Sequence, residues 1–193
     1  MLFDRLKGHR IILASKSPRR QYLLKELGIE FKLQTKDTEE DFPDKFKAQE
    51  IPLYLCEKKA KAFESELKDQ DLLITADTIV WVENQVLNKP LNYDDALRML
   101  KLLSGKKHEV YTGVCLKSKL KTKSFFAVTN VYFKNLSNEE IEYYINNYNP
   151  YDKAGAYGAQ EFIGYIAIEK IEGSYFNVMG LPIKELYEEL LKF

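Results

Sequence analysis

The chain has 193 residues, 45% of them hydrophobic, and its 29 lysines and arginines balance its 29 aspartates and glutamates. That composition excludes a disordered chain and a broad nucleic-acid-binding surface, which needs a basic excess, but it leaves room for a local basic pocket. No apolar run approaches the ~20 residues of a membrane span, and Met1 to Arg10 is too polar for a secretory signal. Cys56 and Cys115 lie far apart without metal-type spacing, which fits a reduced cytoplasmic setting.

In chain order, strands alternate with helices, the pattern of an α/β fold. Ile11 to Ala14 reads as a buried strand. Ser17 is a candidate N-cap and Pro18 suits the first helical position. Leu23, Leu24 and Leu27 form an apolar face, and Gly28 stops the helix. Phe31 to Gln34 is a short strand, and Asp37 to Asp44 an acidic loop. Leu53, Cys56, Ala60 and Phe63 mark one face of the next helix. A buried strand from Asp71 is expected to end at Ala76-Asp77-Thr78. A hairpin over Ile79 to Leu87 follows, with Glu83-Asn84 at its tip. Tyr93 to Leu103 is helical, and His108 to Leu116 and Phe125 to Phe133 are strands. Lys117, Lys119, Lys121 and Lys123 between them read as guards against edge pairing. Ser137 and Glu140 form a capping box for a helix through Tyr148. A loop over Asp152 to Gln160, a strand Tyr165 to Ile168, a turn near Gly173 and a helix from Pro182 to Leu191 complete the chain. No repeat and no long linker interrupts it, so one domain over 1–193 is expected.

Ser15-Lys16-Ser17-Pro18-Arg19-Arg20 gathers two hydroxyls and two arginines where a strand gives way to a helix. Free N–H groups and the helix dipole favour an anion there, and arginine grips phosphate through paired hydrogen bonds. Two cations in a first helical turn oppose the dipole and call for a compensating anion. Asp77, at an expected strand end, suits a metal ligand or a proton acceptor, or simply a turn. Glu40 in the acidic loop could add a second carboxylate for a hard cation, or be solvated. Lys59 lies on or beside an apolar helix face, so it either snorkels or needs an anion partner. Lys89 and Lys153 are loop lysines that could join the arginines around a triphosphate. The small residues around Gly155 and Gly158 permit close backbone approach to a ligand, and the Gln160 amide could read a base edge. Neither a dinucleotide fingerprint nor a Walker A loop is present, and His9 and His108 form no metal or triad constellation.

Together the motifs LASKSPRR (13–20), ADTIVWVENQVLNKP (76–90), LLSGKKHEVYTGV (102–114), DKAGAYGAQ (152–160) and GSYFNVMGLP (173–182) span nearly the whole chain. In this order they make the sequence resemble the Maf family of nucleoside triphosphate pyrophosphatases. The resemblance implies an α/β fold related to inosine-triphosphate pyrophosphatases, a mixed twisted sheet with flanking helices and two lobes around a cleft. It implies hydrolysis of a nucleoside triphosphate to the monophosphate and pyrophosphate with a divalent cation, Mg²⁺ first, Mn²⁺ or Co²⁺ as alternatives. It places Asp77 as the catalytic acidic residue and proton acceptor, and Arg19, Thr78 and Gln160 at positions tied to substrate choice. Ser15, Arg20, Lys59, Lys89 and Lys153 fall at phosphate positions, and Glu40 with Asp77 at the metal. The DKAGAYGAQ and GSYFNV runs are similar to the dTTP/UTP branch, the alternative being the 7-methyl-GTP branch. Asn84, Cys56 and Ala159 depart mildly from the family pattern, and Ala159 adjoins Gln160. The family tendency implies a homodimer. The resemblance implies an enzyme that clears non-canonical nucleotides and is linked to cell-division arrest, the rival reading being a non-enzymatic, nucleotide-binding regulator of septum formation; neither nucleic acid nor membrane is expected as a partner.

Overall fold

The structure is a computed structural model that describes all residues, 1–193. Its elements are α1 (Leu2–Leu6), β1 (Arg10–Leu13), α2 (Pro18–Glu26), β2 (Lys32–Leu33), α3 (Glu50–Lys61), β3 (Asp71–Val82), β4 (Gln85–Leu87), α4 (Tyr93–Leu103), β5 (Lys107–Lys117), β6 (Thr122–Phe133), α5 (Asn138–Tyr148), α6 (Phe162–Ala167), β7 (Ile168–Glu172), α7 (Tyr175–Val178) and α8 (Ile183–Lys192). Two short 3-10 turns, Pro150–Asp152 and Ala154–Ala156, lie between α5 and α6. The seven strands form one mixed sheet in the order β2-β1-β3-β5-β6-β7, with β4 paired to β3. No helix is long and apolar enough to cross a membrane.

Packing divides the chain into two compact units. The first comprises Met1–Asp77, Thr112–Ala127 and Gly180–Phe193. Here β1 runs parallel to both neighbours, in register Ile12↔Lys32 with β2 and Ile12↔Leu73 with β3. Parallel strands covered on both faces read as unbroken apolar runs, which is why Ile11, Ile12 and Leu13, and Leu72, Leu73 and Ile74, are all buried. One face of α3 meets them through Cys56 and Ala60, joined by Phe63, Leu67 and Cys115. The second unit comprises Thr78–Tyr111 and Val128–Met179. Its core gathers Val80, Met99, Leu100, Val131, Tyr144 and Ile163 from β3, α4, β6, α5 and α6.

Most expected elements are present, with informative differences. Asp77 does not end its strand, because β3 continues to Val82. What changes is the partner: the parallel ladder with β1 stops at Leu13↔Ile74, and the antiparallel ladder with β4 starts at Val80↔Leu87. Asp77 lies between the two. The β3–β4 tip has Glu83 and Asn84 at φ of 48° and 59°, the backbone of a tight hairpin turn. The expected strand Tyr165 to Ile168 is instead the end of α6, and β7 begins at Ile168. Ile163 and Ala167 are fully buried while Tyr165 is exposed, a helical spacing hidden by the β-branched composition. Ser17 takes the N-cap position with Pro18 following, but its side chain makes no cap bond. The Ser137–Glu140 capping box is complete. The lysines of the β5–β6 turn are held rather than free: Lys117 by Glu64, Lys119 by Asp69 and Lys123 by Glu189.

One ion pair anchors the start of the first unit's sheet. Asp71 is 1% exposed and receives Arg10 Nε and Nη2 at 2.7 and 2.8 Å, and the Lys68 N–H at 2.9 Å. The bond from Arg10 holds this carboxyl below its ordinary 3.8, against the effect of burial. A carboxylate with a depressed folded-state pKa adds stability above its unfolded value, and loses it as pH falls through the folded one. Asp71→Asn is therefore expected to destabilise the chain at pH 7 by about 1.5–3 kcal/mol. The gap between variant and parent should close as pH falls below about 3.8, as urea denaturation over a pH series would measure.

Candidate active site

The first unit assembles its charged residues from four segments. β1 delivers Leu13, fully buried, and the chain then turns into α2. Ser15 is buried, and its Oγ accepts the Ser17 N–H at 3.2 Å. The Gln21 amide donates to the Ser15 carbonyl at 3.2 Å. This turn sets the start of α2, where first-turn N–H groups lack intrahelical acceptors. Arg20 reaches back from that turn. Its Nε donates to the Gly180 carbonyl and its Nη1 to the Ala76 carbonyl, each at 2.7 Å. The guanidinium therefore lies beside the residue preceding Asp77. Burial pulls it below the ordinary arginine value, while the nearby Asp77 carboxylate pushes the other way. Arg19 is half-buried beside it.

The acidic loop folds onto α3. Asp41 pairs with Lys58, whose hydrogen bond holds that carboxyl low. Lys59 makes the central contact: its Nζ donates to Glu40 Oε1 at 2.9 Å and also to Asp77 Oδ1. Its side chain is 17% exposed and that of Asp77 10%. Of the two readings of Lys59, the inward lysine with anion partners is the one realised, and Glu40, though its side chain is 44% exposed, is one of those partners.

Two features fix α3 where Lys59 can do this. The Thr75 hydroxyl, fully buried on β3, donates to the Cys56 carbonyl at 2.6 Å. On β5, Gly113 lets the backbone of α3 come close: a Cβ there would stand 2.5 Å from the Pro52 carbonyl carbon and oxygen and 2.7 Å from the Leu53 nitrogen. Burial pushes the Cys56 and Cys115 thiols up, so neither is a nucleophile at neutral pH.

The remaining candidates belong to the second unit. Thr78, half-buried, follows Asp77 on β3. Lys89 is exposed between β4 and α4. Lys153 is no ordinary loop lysine: it is 7% exposed, with Nζ 2.6 Å from Asp152 Oδ1 and 3.0 Å from Glu161 Oε1. Gln160 is half-buried just before α6. The loop carrying both is pinned by Tyr157, which shares a 2.8 Å hydrogen bond with His108 and packs edge-on against Phe133. Burial pulls His108 down to about 3, so it is neutral and performs no acid–base work near pH 7. Glu161 escaped the sequence reading. No sequence signal marks it, because the burial of Lys153, which requires a carboxylate partner, is set by the fold. The GSYFNV run, read first as a turn signal, is held by its own bonds: Asn177 Nδ2 donates to the Val110 carbonyl and Thr129 Oγ1, both at 3.0 Å.

The sequence model of the Maf-like protein family matches residues 10–193. The chain belongs to the Maf family. Three relatives show how near it stands to other members. It is 53% identical over 190 residues to the dTTP/UTP pyrophosphatase of Flavobacterium johnsoniae, covering 98% of each chain. It is 54% identical over 192 residues to the dTTP/UTP pyrophosphatase of Phocaeicola vulgatus, covering 99% of this chain and 100% of that one. A protein of the same name from Bacteroides fragilis is 51% identical over 186 residues, covering 96% of each. Among solved structures, a nucleoside-triphosphatase (dITP/XTP pyrophosphatase) of Mycobacterium abscessus aligns over 95% of both chains with a TM-score of 0.44 and 12% identity.

The tight approach at Gly113 generates a test. In Gly113→Ala the added methyl must displace α3, and overpacking of this kind costs about 1–3 kcal/mol. Because α3 carries Lys59, activity should fall by more than the loss of folded protein accounts for. Chemical denaturation and turnover per folded molecule measure the two effects separately.

Proposed function

We propose that this chain is a nucleoside triphosphate pyrophosphatase that hydrolyses dTTP and UTP to the nucleoside monophosphate and pyrophosphate. The observation that carries this reading is the convergence of Glu40 and Asp77 on the single ammonium of Lys59, with Arg20 held beside Asp77. Two carboxylates and two cations from four segments suit attack on a polyanion better than simple capture of one. The names borne by relatives about half identical over nearly their full length support the choice of dTTP and UTP. The family model spans both compact units, which supports reading 1–193 as one functional domain. The two free cysteines support a cytoplasmic setting.

In this reading a water attacks the α-phosphorus of the bound triphosphate. The new bond is from the water oxygen to phosphorus; the bond that breaks joins the α-phosphorus to the α,β-bridging oxygen, and pyrophosphate leaves. Asp77 takes the water's proton. Lys59 engages Oδ1 of the same carboxylate. Arg19, Arg20 and Lys59 of the first unit stabilise the negative charge that develops on the phosphates, and Ser15 adds a hydroxyl donor; the family resemblance gives Lys89 and Lys153 of the second unit phosphate roles as well. Thr78 and Gln160 contribute to base choice, Gln160 by reading the edge that uracil and thymine share.

Glu40 and Asp77 also fit a divalent cation. They are hard oxygen donors that already meet one positive charge, and no group of three or more His, Cys, Asp or Glu side chains gathers to form an all-protein cage. Mg²⁺ is commonly held by one or two carboxylates with substrate phosphates completing its shell, and Mn²⁺ and Co²⁺ are the alternatives. Such an ion would neutralise phosphate charge at this point.

A panel of nucleoside triphosphates assayed for pyrophosphate with Mg²⁺ tests the reading. Release from dTTP and UTP, little from 7-methyl-GTP, and loss on chelation are expected; release from none of the panel overturns it. Asp77→Asn should fold, by circular dichroism, and turn over about 10²–10⁴-fold more slowly. Full turnover in that variant removes Asp77 from the chemistry. Gln160→Ala should narrow the preference for dTTP and UTP over the other nucleotides more than it lowers the rate; unchanged selectivity counts against Gln160 as the base reader.

A further inference from the structure

The second unit contains a polar chain that the chemistry above does not use. Tyr144, fully buried on α5, donates its hydroxyl hydrogen to Glu161 Oε2 at 2.5 Å and accepts the Gly158 N–H at 3.0 Å. The other oxygen of Glu161 faces Lys153 Nζ at 3.0 Å. The backbone makes room for this arrangement. A Cβ on Gly158 would stand 2.8 and 2.9 Å from Cδ and Oε2 of Glu161 and 3.1 Å from Cε of Lys153. The glycine thus lies directly against both members of the pair.

The two carboxylates on Lys153 are unequal. Asp152 is its chain neighbour, with a side chain 56% exposed. The side chain of Glu161 is 21% exposed and tied to a buried phenol. Burial and Glu161 together raise the Tyr144 phenol, so it remains a proton donor to that carboxylate throughout the neutral range. A phosphate arriving at Lys153 meets one exposed competitor and one sheltered partner.

We propose that Glu161, anchored by Tyr144, is a positioning residue: it fixes the ammonium of Lys153 for the substrate's phosphates, and Asp152 is the partner that phosphate displaces. This rests on the pyrophosphatase reading and on the phosphate role of Lys153. Glu161 does not touch the reacting atoms; it acts through Lys153, and also through the Gly158 N–H, which Tyr144 holds in the same loop as Gln160.

The experiment has two arms on the full-length chain. The first needs no turnover. Acetic anhydride labelling of each lysine, read by peptide mass spectrometry, should show Lys153 reacting faster in Glu161→Gln than in the parent, with Lys184, 74% exposed on its side chain, as the internal standard. Asp152→Asn should raise the labelling less. The second arm is a double-mutant cycle on pyrophosphate release from dTTP. Glu161→Gln alone should lower kcat/KM roughly tenfold, the scale of a hydrogen bond to a charged group. In a Lys153→Gln background it should cost little more, because the two residues act as one. Unchanged labelling of Lys153, or fully additive losses, overturns the inference. If Glu161→Gln fails to fold, Tyr144→Phe carries both arms with smaller effects in the same direction. If Lys153→Gln has no measurable turnover, the labelling arm decides. Failure of the parent chain to release pyrophosphate overturns the activity, and this inference with it; additive losses in an active parent overturn the inference alone.

Discussion

The contact on which the candidate site depends is the ammonium of Lys59 held between Glu40 and Asp77. The Asp77 side chain is 10% exposed, and a buried carboxylate stripped of its counter-charge costs on the order of 3–5 kcal/mol. The first unit is arranged so that this does not arise. The Thr75 hydroxyl ties α3 to β3, Gly113 lets α3 approach β5, and the acidic loop closes from the other side through Glu40 and Asp41. Each of these is local packing, and each fixes where one positive charge sits.

The second unit repeats the device with different parts. Lys153 is buried where Lys59 is half-buried, and it too lies between an exposed carboxylate and a sheltered one. Charges already held by the protein need little reorganisation when a polyanion arrives, which is the usual source of electrostatic catalysis.

The legible parts of the sequence were those governed by local rules. The Ser137–Glu140 box, the Glu83-Asn84 tip and the helix over Tyr93 to Leu103 follow from local signals, and the structure has them; of the expected α3 face, Cys56 and Ala60 are buried within the helix, Phe63 is buried just beyond it, and Leu53 is only half-buried. Where a long-range partner decides, the sequence was silent. The sequence suggests that a strand ends at Asp77, yet the backbone continues extended to Val82 and only the neighbouring strand changes. Tyr165 to Ile168 suggests a strand, but packing places Ile163 and Ala167 on one helical face and the strand begins only at Ile168. Lys153 looked unremarkable because its partner Glu161 is brought to it by the turn at Gly158 and the buried Tyr144. At the candidate site, motif order supplied the residue names and structure supplied the pairings: nothing in the spacing of Glu40, Lys59 and Asp77 says that one amine serves two acids.

The continuity of β3 has an optical consequence. The single tryptophan of the chain, Trp81, lies four residues beyond Asp77 on that strand and is paired with Val86 across the hairpin. Its indole is a built-in fluorophore in the second unit, half-buried and so sensitive to solvent. Its emission against far-ultraviolet dichroism, which averages every helix of both units, would distinguish a chain that melts in one concerted step from one whose units let go in turn.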